Sequence, residues 1–377
     1  MKPSLRSAAL VTAAMIPFCA SVTAFAQSAI VKQVYERSHI VPTNIPGITS
    51  FQAPPASFDP INAADQELAF YGIPPRPDPQ AQPQAYAKWA AAMSRPTTRV
   101  VGSLKDMNIA STSGRRGPVV PEAAPTSGEE AQSSVSYYNW SGVANTIPGL
   151  ASWNAQNSFY FVVSEFNVPV AEQAFNGSGG YVCDGRWDYE VSWSGIDGFN
   201  NGDVLQGGSL SAAYCNGGSR STYYCGWVEW YPSYNILCQF GVNPGDDMFV
   251  ETWDTSSTNG YVYIQDNTLG ISSVVHLQPT KPPYLVGNSA EYIVERPCCD
   301  NGHDDTLANY VQDFWADNYA YTFAYTLHYP GSTDTSTYLI NMINDQASQV
   351  ISSAYTEGNY GIVFQDENSA RQGGCTP

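Results

Sequence analysis

Basic residues are scarce in this chain, which has 16 Lys and Arg against 34 Asp and Glu in 377 residues. The imbalance lies beyond residue 133, where five basic residues stand against 25 acidic ones, whereas residues 27–133 carry nine of each. So acidic a surface repels nucleic acid and anionic membranes, and neither is expected as a partner. A chain with few cations also gains little self-repulsion when its carboxylates are protonated, which favours adaptation to acid. A merely soluble or salt-adapted acidic surface is the alternative, although halophilic surfaces usually carry more acid.

Long apolar runs are also rare, and the one that stands out opens the chain. Lys2 and Arg6 precede an apolar stretch over residues 8–22, and Ala24-Phe25-Ala26 supplies small residues for cleavage. This pattern is typical of a secretory signal peptide, predicted over residues 1–26. No other stretch has the length and apolarity to cross a bilayer. The sequence therefore predicts a secreted, extracellular protein.

Metal-binding patterns are lacking too, because the chain has no CxxC pair and only four His. Seven cysteines follow the signal peptide, and in an exported chain they indicate disulfides first. Their number is odd, so at least one is free or pairs outside the chain, and the connectivity stays open. No metal or other cofactor is predicted. The disulfide candidates are Cys183, Cys215, Cys225, Cys238, Cys298, Cys299 and Cys375.

Residues 27–133, called the leader below, differ in composition from the rest of the chain. They are rich in Pro and Ala and lack Cys. The polar Gly/Ser/Pro-rich run that follows Pro96 and ends at Glu130, which contains Arg115-Arg116, predicts an exposed, cleavable linker. One short helix is predicted from a cap at Asn62 to Gly72, and a second over residues 83–94. Neither can bury a core alone, so both need the rest of the chain as a partner. We interpret the leader as a propeptide with a linker; a small accessory domain is the alternative.

From residue 134 to residue 377 the sequence predicts one all-β domain. Aromatic and β-branched runs alternate with Gly, Asn, Asp and Ser clusters, and Thr258-Asn259-Gly260 is a hairpin signal. Many short strands over this length favour a two-sheet antiparallel β-sandwich, with a barrel as the second possibility.

Familiar catalytic signatures are missing: the chain has no Gly-x-Ser-x-Gly, His-Glu-x-x-His or phosphate-binding loop. Three other segments are more specific, and they follow one another in the predicted sandwich. They are Trp193-Ser194-Gly195-Ile196-Asp197-Gly198 followed by Val204-Leu205-Gln206-Gly207-Gly208, then Gly226-Trp227-Val228-Glu229-Trp230-Tyr231-Pro232, and last Ser289-Ala290-Glu291-Tyr292-Ile293-Val294-Glu295.

In order and approximate spacing these segments resemble the glutamic peptidases, the eqolisin family G1 of acid endopeptidases. The resemblance covers about residue 138 to the C-terminus and extends, less specifically, to leaders of bacterial relatives. It implies a concanavalin A-like (lectin-like) sandwich and a catalytic pair of Gln206 and Glu295. Trp193, Asp197, Glu229 and Tyr231 would lie at the cleft as supporting groups. The fungal members carry Asp where this chain has Cys225, so a cleft contact differs here.

The implied chemistry suits these two residue types. A carboxylate can hold a water and take its proton, and an amide can donate to the developing oxyanion at any pH. The substrates would be proteins or peptides, and the protein would be a monomer made as an inactive precursor. The leader would be a partner held partly by charge to the acidic mature domain, and it would loosen in acid. Two alternatives stay open at this stage. One is a glycosidase using Glu229 and Glu295 as its carboxylates, and the other is a lectin-like glycan-binding module.

Overall fold

The structure, a computed structural model, describes residues 39–118, 132–175, 180–298, 304–334 and 336–367. The predicted signal peptide lies outside the described residues, as do residues 119–131 of the predicted linker. The described part of that run is not the exposed linker that was predicted, because residues such as Leu104 and Ser111 are buried against the sandwich. None of the described helices has both the length and the hydropathy needed to cross a membrane.

The first layer of the molecule is a mainly antiparallel sheet that carries all three motif segments. Its strands are β4 (Lys105–Asp106), β5 (Ser133–Tyr137), β6 (Trp140–Thr146), β8 (Asp184–Ile196), β9 (Val204–Asn216), β10 (Ser219–Tyr231), β11 (Leu237–Gly241), β15 (Ser289–Glu295), β16 (Thr306–Leu307) and β20 (Thr337–Ile343). They pair in the order β4-β11-β10-β9-β8-β15-β6-β20-β5, and the short β16 pairs with β8.

The second layer packs face to face on the first. The remaining strands are β1 (Ile40–Pro42), β2 (Ile48–Phe51), β3 (Thr98–Arg99), β7 (Phe159–Asn167), β12 (Asp247–Ser256), β13 (Asn259–Asp266), β14 (Ile271–Leu277), β17 (Gln312–Trp315), β18 (Tyr319–Thr322), β19 (Leu327–His328), β21 (Val350–Glu357) and β22 (Gly361–Asp366). The second layer pairs in the order β18-β7-β12-β13-β14-β2-β1, with β3 beside β14 and β19 beside β18. Strands β21, β22 and β17 connect β20 of the first layer to β7 of the second by hydrogen bonds.

Alternation along the strands decides which side chains fill the space between the layers. Leu205, Val228 and Tyr292 point inward and join one large apolar cluster with residues of the facing sheet, such as Val250 and Val262. Their neighbours in sequence therefore lie on the outer face of the first sheet, which we call the site face. The predicted all-β sandwich and the β12–β13 hairpin are confirmed.

The leader wraps around both outer faces of the sandwich. Helices α1 (Asp65–Phe70) and α2 (Pro83–Met93) cover the second sheet, where Leu68 and Trp89 pack against Phe249 and other aromatic residues. Strands β1 to β3 extend that sheet, and β4 adds to the edge of the first sheet. Both helices were predicted to need another surface of the chain to pack on, and the outer face of the second sheet is that surface.

Helix α1 starts later than predicted. Ala64 takes the N-cap position, and the Glu67 carboxylate accepts a hydrogen bond from the Ala64 amide at 2.9 Å. The predicted cap, Asn62, instead donates to Asp59 at 2.7 Å, which holds it in the preceding turn. Gly72 follows the helix with φ +61°, a left-handed conformation in which glycine is favoured.

Trp89 anchors the leader to the sandwich. Its buried side chain belongs to the apolar cluster that joins the leader helices to the second sheet, and its indole N–H donates within the leader to the Pro74 carbonyl at 3.0 Å. Trp89→Ala is expected to destabilise the precursor by about 3–5 kcal/mol, because a large buried side chain is removed. Tyr86→Ala in the same helix removes a half-buried ring and should cost less. Denaturant unfolding of both variants measures the difference, and equal losses would contradict this role for Trp89.

Candidate active site

Four polar or aromatic side chains meet on the site face because four adjacent strands bring them into register. Gln206 on β9 lies directly opposite Glu229 on β10 and Gly195 on β8. Trp193 and Glu295 come from β8 and β15, which pair with each other. The structure therefore brings together both residues of the implied catalytic pair and two of the supporting residues.

Glu295 receives hydrogen bonds at both carboxylate oxygens. Its Oε2 accepts from the Trp193 indole N–H at 2.9 Å and from the Ser111 hydroxyl. Its Oε1 accepts from the Thr112 amide at 2.9 Å and from Asn139 Nδ2 at 3.2 Å. Burial raises the pKa of Glu295 to about 8, and these hydrogen bonds act in the opposite direction.

The side-chain amide of Gln206 is held next to Ser111, the leader residue that also contacts Glu295. Its Nε2 donates to the Ser111 carbonyl at 3.1 Å and to Glu229 Oε2 at 3.3 Å. Glu229 Oε2 also accepts from the Ser111 amide at 2.9 Å, whereas its Oε1 is buried without a hydrogen-bond partner among the described residues. Burial, followed by the charge of Glu295, holds the pKa of Glu229 well above its usual range. We therefore expect Glu229 to be protonated and to act by orienting Gln206 and the bound backbone.

The two leader residues at this site belong to an extended run, residues 104–118, that we call the cleft segment. It begins at the β11 edge, where Lys105 pairs with Cys238. It then crosses the site face at Ser111 and reaches Gly114, whose amide donates to the Gly198 carbonyl at 3.0 Å. A Cβ on Gly114 would lie 2.3 Å from the ring of Tyr137, so only glycine fits this approach.

The cleft segment closes the site completely. Trp193, Gln206, Glu229 and Glu295 are each 0% exposed, so no substrate can reach them while the segment is in place. The sequence itself does not single out Ser111, Thr112 or Asn139. No motif marks them, and they come within reach of Glu295 only through contacts 156 to 184 residues apart in the chain.

The other two predicted supporting residues lie at the borders of the site. Tyr231 is half-buried two residues beyond Glu229 on the same face of β10, and burial followed by the charges of Glu229 and Glu295 raises its pKa. Asp197, at φ +71°, accepts hydrogen bonds from the amides of residues 286–288 at 2.6 to 2.9 Å. It thus fixes the loop before β15 and the turn that contains Gly198, which is a structural role.

Two disulfides clamp the long strands of the site face. Cys183 is bonded to Cys215, and Cys225 to Cys238 across β10 and β11. Cys298 is also disulfide-bonded. Cys299 and Cys375 lie outside the described residues. The residue that replaces the family's Asp at position 225 thus forms a covalent link between two strands. Over the described ranges, no three His, Cys, Asp or Glu side chains are grouped to hold a metal ion.

With this geometry in place, comparison with known proteins identifies the class. The Peptidase A4 family matches residues 138–364, more than half of the chain, and the chain belongs to this family of glutamic peptidases, the eqolisins. It is therefore a glutamic endopeptidase, as the motifs predicted, and the family match favours this function over the glycosidase and lectin alternatives. No curated protein matches the chain.

Several solved structures are similar to this chain. Scytalido-glutamic peptidase with a transition-state analog inhibitor is 21% identical, with a TM-score of 0.47, over 61% of this chain and 98% of that one. SCP-B, an eqolisin in complex with a tripeptide, is 18% identical, with a TM-score of 0.43, over 61% and 98%. Aspergilloglutamic peptidase from Aspergillus niger is 20% identical, with a TM-score of 0.40, over 48% and 99%.

Proposed function

We propose that the protein is a secreted acid endopeptidase made as a zymogen, in which Glu295 activates a water molecule and Gln206 stabilises the oxyanion. The observation that carries this proposal is the position of the Ser111–Thr112 peptide bond. Its carbonyl oxygen accepts from Gln206 Nε2 at 3.1 Å, and its amide nitrogen donates to Glu295 Oε1 at 2.9 Å. A peptide bond about to be hydrolysed requires these same two partners, one for the oxyanion and one for the leaving amine.

The reaction follows from these contacts. Glu295, as carboxylate, takes a proton from water while the water oxygen attacks the carbonyl carbon of the substrate. Gln206 Nε2 donates to the oxygen that becomes negative, and it can do so at any pH because an amide does not titrate. Glu295 then gives the proton to the amide nitrogen as the C–N bond breaks. Direct attack by water predicts that no covalent enzyme intermediate forms.

Opening of the cleft segment should return water to Glu295. Burial is the main cause of its raised pKa, so the pKa is expected to fall toward the ordinary range of a glutamate once the segment leaves. The open enzyme would then have an ionised base in mild acid. The burial effect itself favours the closed state in acid, because a closed state with the higher pKa binds the proton more tightly. Acid opening must therefore be driven elsewhere.

Ion pairs between the leader and the sandwich supply that drive. Each has its cation on the leader and its carboxylate on the sandwich: Lys88 with Asp317, Arg95 with Asp247, and Arg115 with Asp304. The first two are partly exposed and are worth little individually. The third is the important one, because the carboxylate of Asp304 is buried. Protonation of Asp304 removes its attraction for Arg115 and loosens the leader as the pH falls.

Asp304 is the buried carboxylate among these pairs, and we assign the trigger to it. Burial is the first cause of its raised pKa, and Arg296 and Arg115 lower that pKa. Arg296 belongs to the sandwich and stays, whereas Arg115 leaves with the leader, so the Arg115 pair stabilises closure while Asp304 is ionised. That stabilisation is lost as the pH falls through the pKa. The mature domain would then be freed by cleavage in the predicted linker region.

Arg115→Gln should therefore make maturation easier in mild acid. We expect maturation to be about 5- to 30-fold faster at a fixed mildly acidic pH, the effect of 1–2 kcal/mol on closure. Asp304 keeps Arg296 at 3.7 Å, so the change does not leave its carboxylate without a cation. Arg116→Gln is the matched control, because Arg116 lies over the Tyr137 ring instead. Maturation is followed on gels, and equal rates in both variants would contradict the role of Arg115.

The proposed function is tested by incubating the purified precursor with an unfolded protein substrate across about pH 2–7. We expect the precursor to shorten and to digest the substrate only in acid. Processing that is independent of precursor concentration would indicate cleavage within one molecule. A precursor that stays folded, is processed by an added protease and still digests nothing in acid would overturn the proposal.

A further inference from the structure

The two oxygens of Glu295 have separate neighbours in the cleft segment. Oε1 accepts from the amide of Thr112, the nitrogen that would leave if the bond were cut. Oε2 accepts from the Ser111 hydroxyl, and that hydroxyl also lies 3.3 Å from Gln206 Oε1. Because Oε1 faces the amide nitrogen, Oε2 is the oxygen left to take a proton from an attacking water. The position next to Oε2 is where that water would have to stand, and it is filled.

We propose that the Ser111 hydroxyl takes the place of the attacking water, and that this makes the cleft segment an inhibitor rather than a substrate. The inference rests on the proposed function, since it assigns Glu295 as the base. The carbonyl and the amide of the Ser111–Thr112 bond both have their catalytic partners. The position for the attacking water is the one that another group occupies.

The hydroxyl cannot replace the water as nucleophile. Attack by Ser111 Oγ on the carbonyl carbon of its own residue would close a strained ring of four atoms. Hydrolysis instead needs a separate water, whose oxygen bonds to the carbonyl carbon of residue 111 while one proton passes to Glu295. That proton then moves to the nitrogen of residue 112 as the C–N bond breaks, leaving a carboxylic acid and an amine. Removal of the tethered hydroxyl should restore this route.

Three substitutions at position 111 separate steric exclusion of water from simple loss of binding. Ser111→Gly removes both Cβ and the hydroxyl and opens the space beside Glu295 Oε2. We expect fragments that begin at Thr112 to increase in acid by at least roughly ten-fold over the wild-type precursor. Ser111→Thr keeps the hydroxyl and should leave this bond intact. Ser111→Ala removes the hydrogen bond but keeps a methyl group beside the water position, and should be cut more slowly than Ser111→Gly.

The position of the cut, read by mass spectrometry of intact fragments, is the decisive readout. A segment that is merely bound more weakly would speed maturation at the wild-type positions without cleavage between residues 111 and 112. Ile109→Ala is the matched control, because it weakens packing of the segment without touching Glu295. The double variant Ser111→Gly/Glu295→Gln should not be cut between residues 111 and 112, and a cut at that bond would reveal a contaminating protease.

A peptide test covers the case in which the variants fail to fold. Synthetic peptides of residues 104–117 with Ser or Gly at position 111 are added to acid-matured wild-type enzyme. We expect the Ser peptide to inhibit and survive, and the Gly peptide to be split between positions 111 and 112. Survival of both peptides or equal splitting of both would overturn the role of Ser111 while leaving the peptidase intact. A matured enzyme that digests no protein at all would instead overturn the proposed function.

Discussion

Glu295→Gln should slow self-processing of the precursor in acid by about 10²–10⁴-fold, the usual contribution of a positioned general base. The amide has nearly the same shape, and with its single oxygen toward Thr112 it keeps the hydrogen bond from the leader backbone. Its NH2 group then faces the Ser111 hydroxyl, which can accept from it, while the Trp193 indole N–H loses its acceptor, so the cleft should stay closed at neutral pH although less tightly. It cannot take a proton from water, and the reaction loses both its base and its proton donor. The rate is measured as conversion of full-length precursor over time at a fixed acidic pH.

Gln206→Ala should have a smaller but still large effect, about 10²–10³-fold, because one oxyanion donor is lost. Glu291→Gln is the matched control for both variants. Glu291 is buried in the same strand as Glu295 and on the same face of it. The groups that interact with its carboxyl, such as Ser289 and the Phe199 backbone, lie outside the cleft segment. Normal processing in this control with slow processing in Glu295→Gln would confirm the base, whereas normal processing in all three would mean that neither residue is catalytic.

The second large effect concerns stability at neutral pH. Many carboxyl groups are buried in the sandwich, and burial is the first cause of each raised pKa. For Asp203 the pKa is raised to about 8 and for Asp313 to about 7. Burial holds the pKa of further carboxyl groups well above the ordinary range, namely those of Glu190, Glu251, Asp254 and Glu291. The folded protein must therefore hold protons that the unfolded chain releases in mild acid.

The sign of the pH dependence follows from this difference. Above about pH 4 the unfolded chain binds fewer protons than the folded one, so the free energy of unfolding falls as the pH rises. Each such group contributes about 1.4 kcal/mol per pH unit until its own raised pKa is passed. Several groups acting together should make the melting temperature fall steeply between about pH 4 and 8. The scarcity of basic residues adds to acid tolerance by limiting repulsion at low pH.

Calorimetry of the Glu295→Gln precursor measures this effect without interference from self-digestion. Asp203→Asn, added to that background, replaces a group that must stay protonated by one that cannot titrate. We expect it to flatten the slope of stability against pH between about pH 4 and 8. A melting temperature that is constant or rises over this range would contradict the proposed protonation of the buried carboxyls.

The sequence was sufficient to predict the sandwich and the meeting of Gln206 with Glu295. Alternation along β-strands places Gln206, Glu229 and Trp193 on one face. The pairing of Gln206 with Glu295 came from the resemblance of the motifs to the glutamic peptidases, because alternation alone does not give the order of the strands. The disulfides were predicted as a class but not as pairs, because an odd number of cysteines allows many connectivities. Cys225 could therefore not be assigned to Cys238 without the register of β10 and β11.

The position of the leader could not be predicted from its residues. The cleft segment is short and polar where it meets the site, and Ser111 and Thr112 belong to common loop residue types. Their role depends on where β4 joins the edge at β11, which directs the chain across the catalytic strands. The N-cap of α1 was also predicted wrongly. The Glu67 carboxylate accepts a hydrogen bond from the Ala64 amide and so places the cap at Ala64, while Asn62 donates to Asp59 in the preceding turn.

Occupation of the catalytic cleft by the leader, at Gln206 and Glu295, is tested most directly by steady-state inhibition. A synthetic peptide of residues 104–117 is added to the acid-matured enzyme, with a scrambled peptide of the same composition as control. We predict competitive inhibition, with an increased apparent KM and an unchanged kcat, by the native peptide alone. No inhibition by the native peptide, or a lowered kcat at constant KM, would contradict binding of the leader in the cleft.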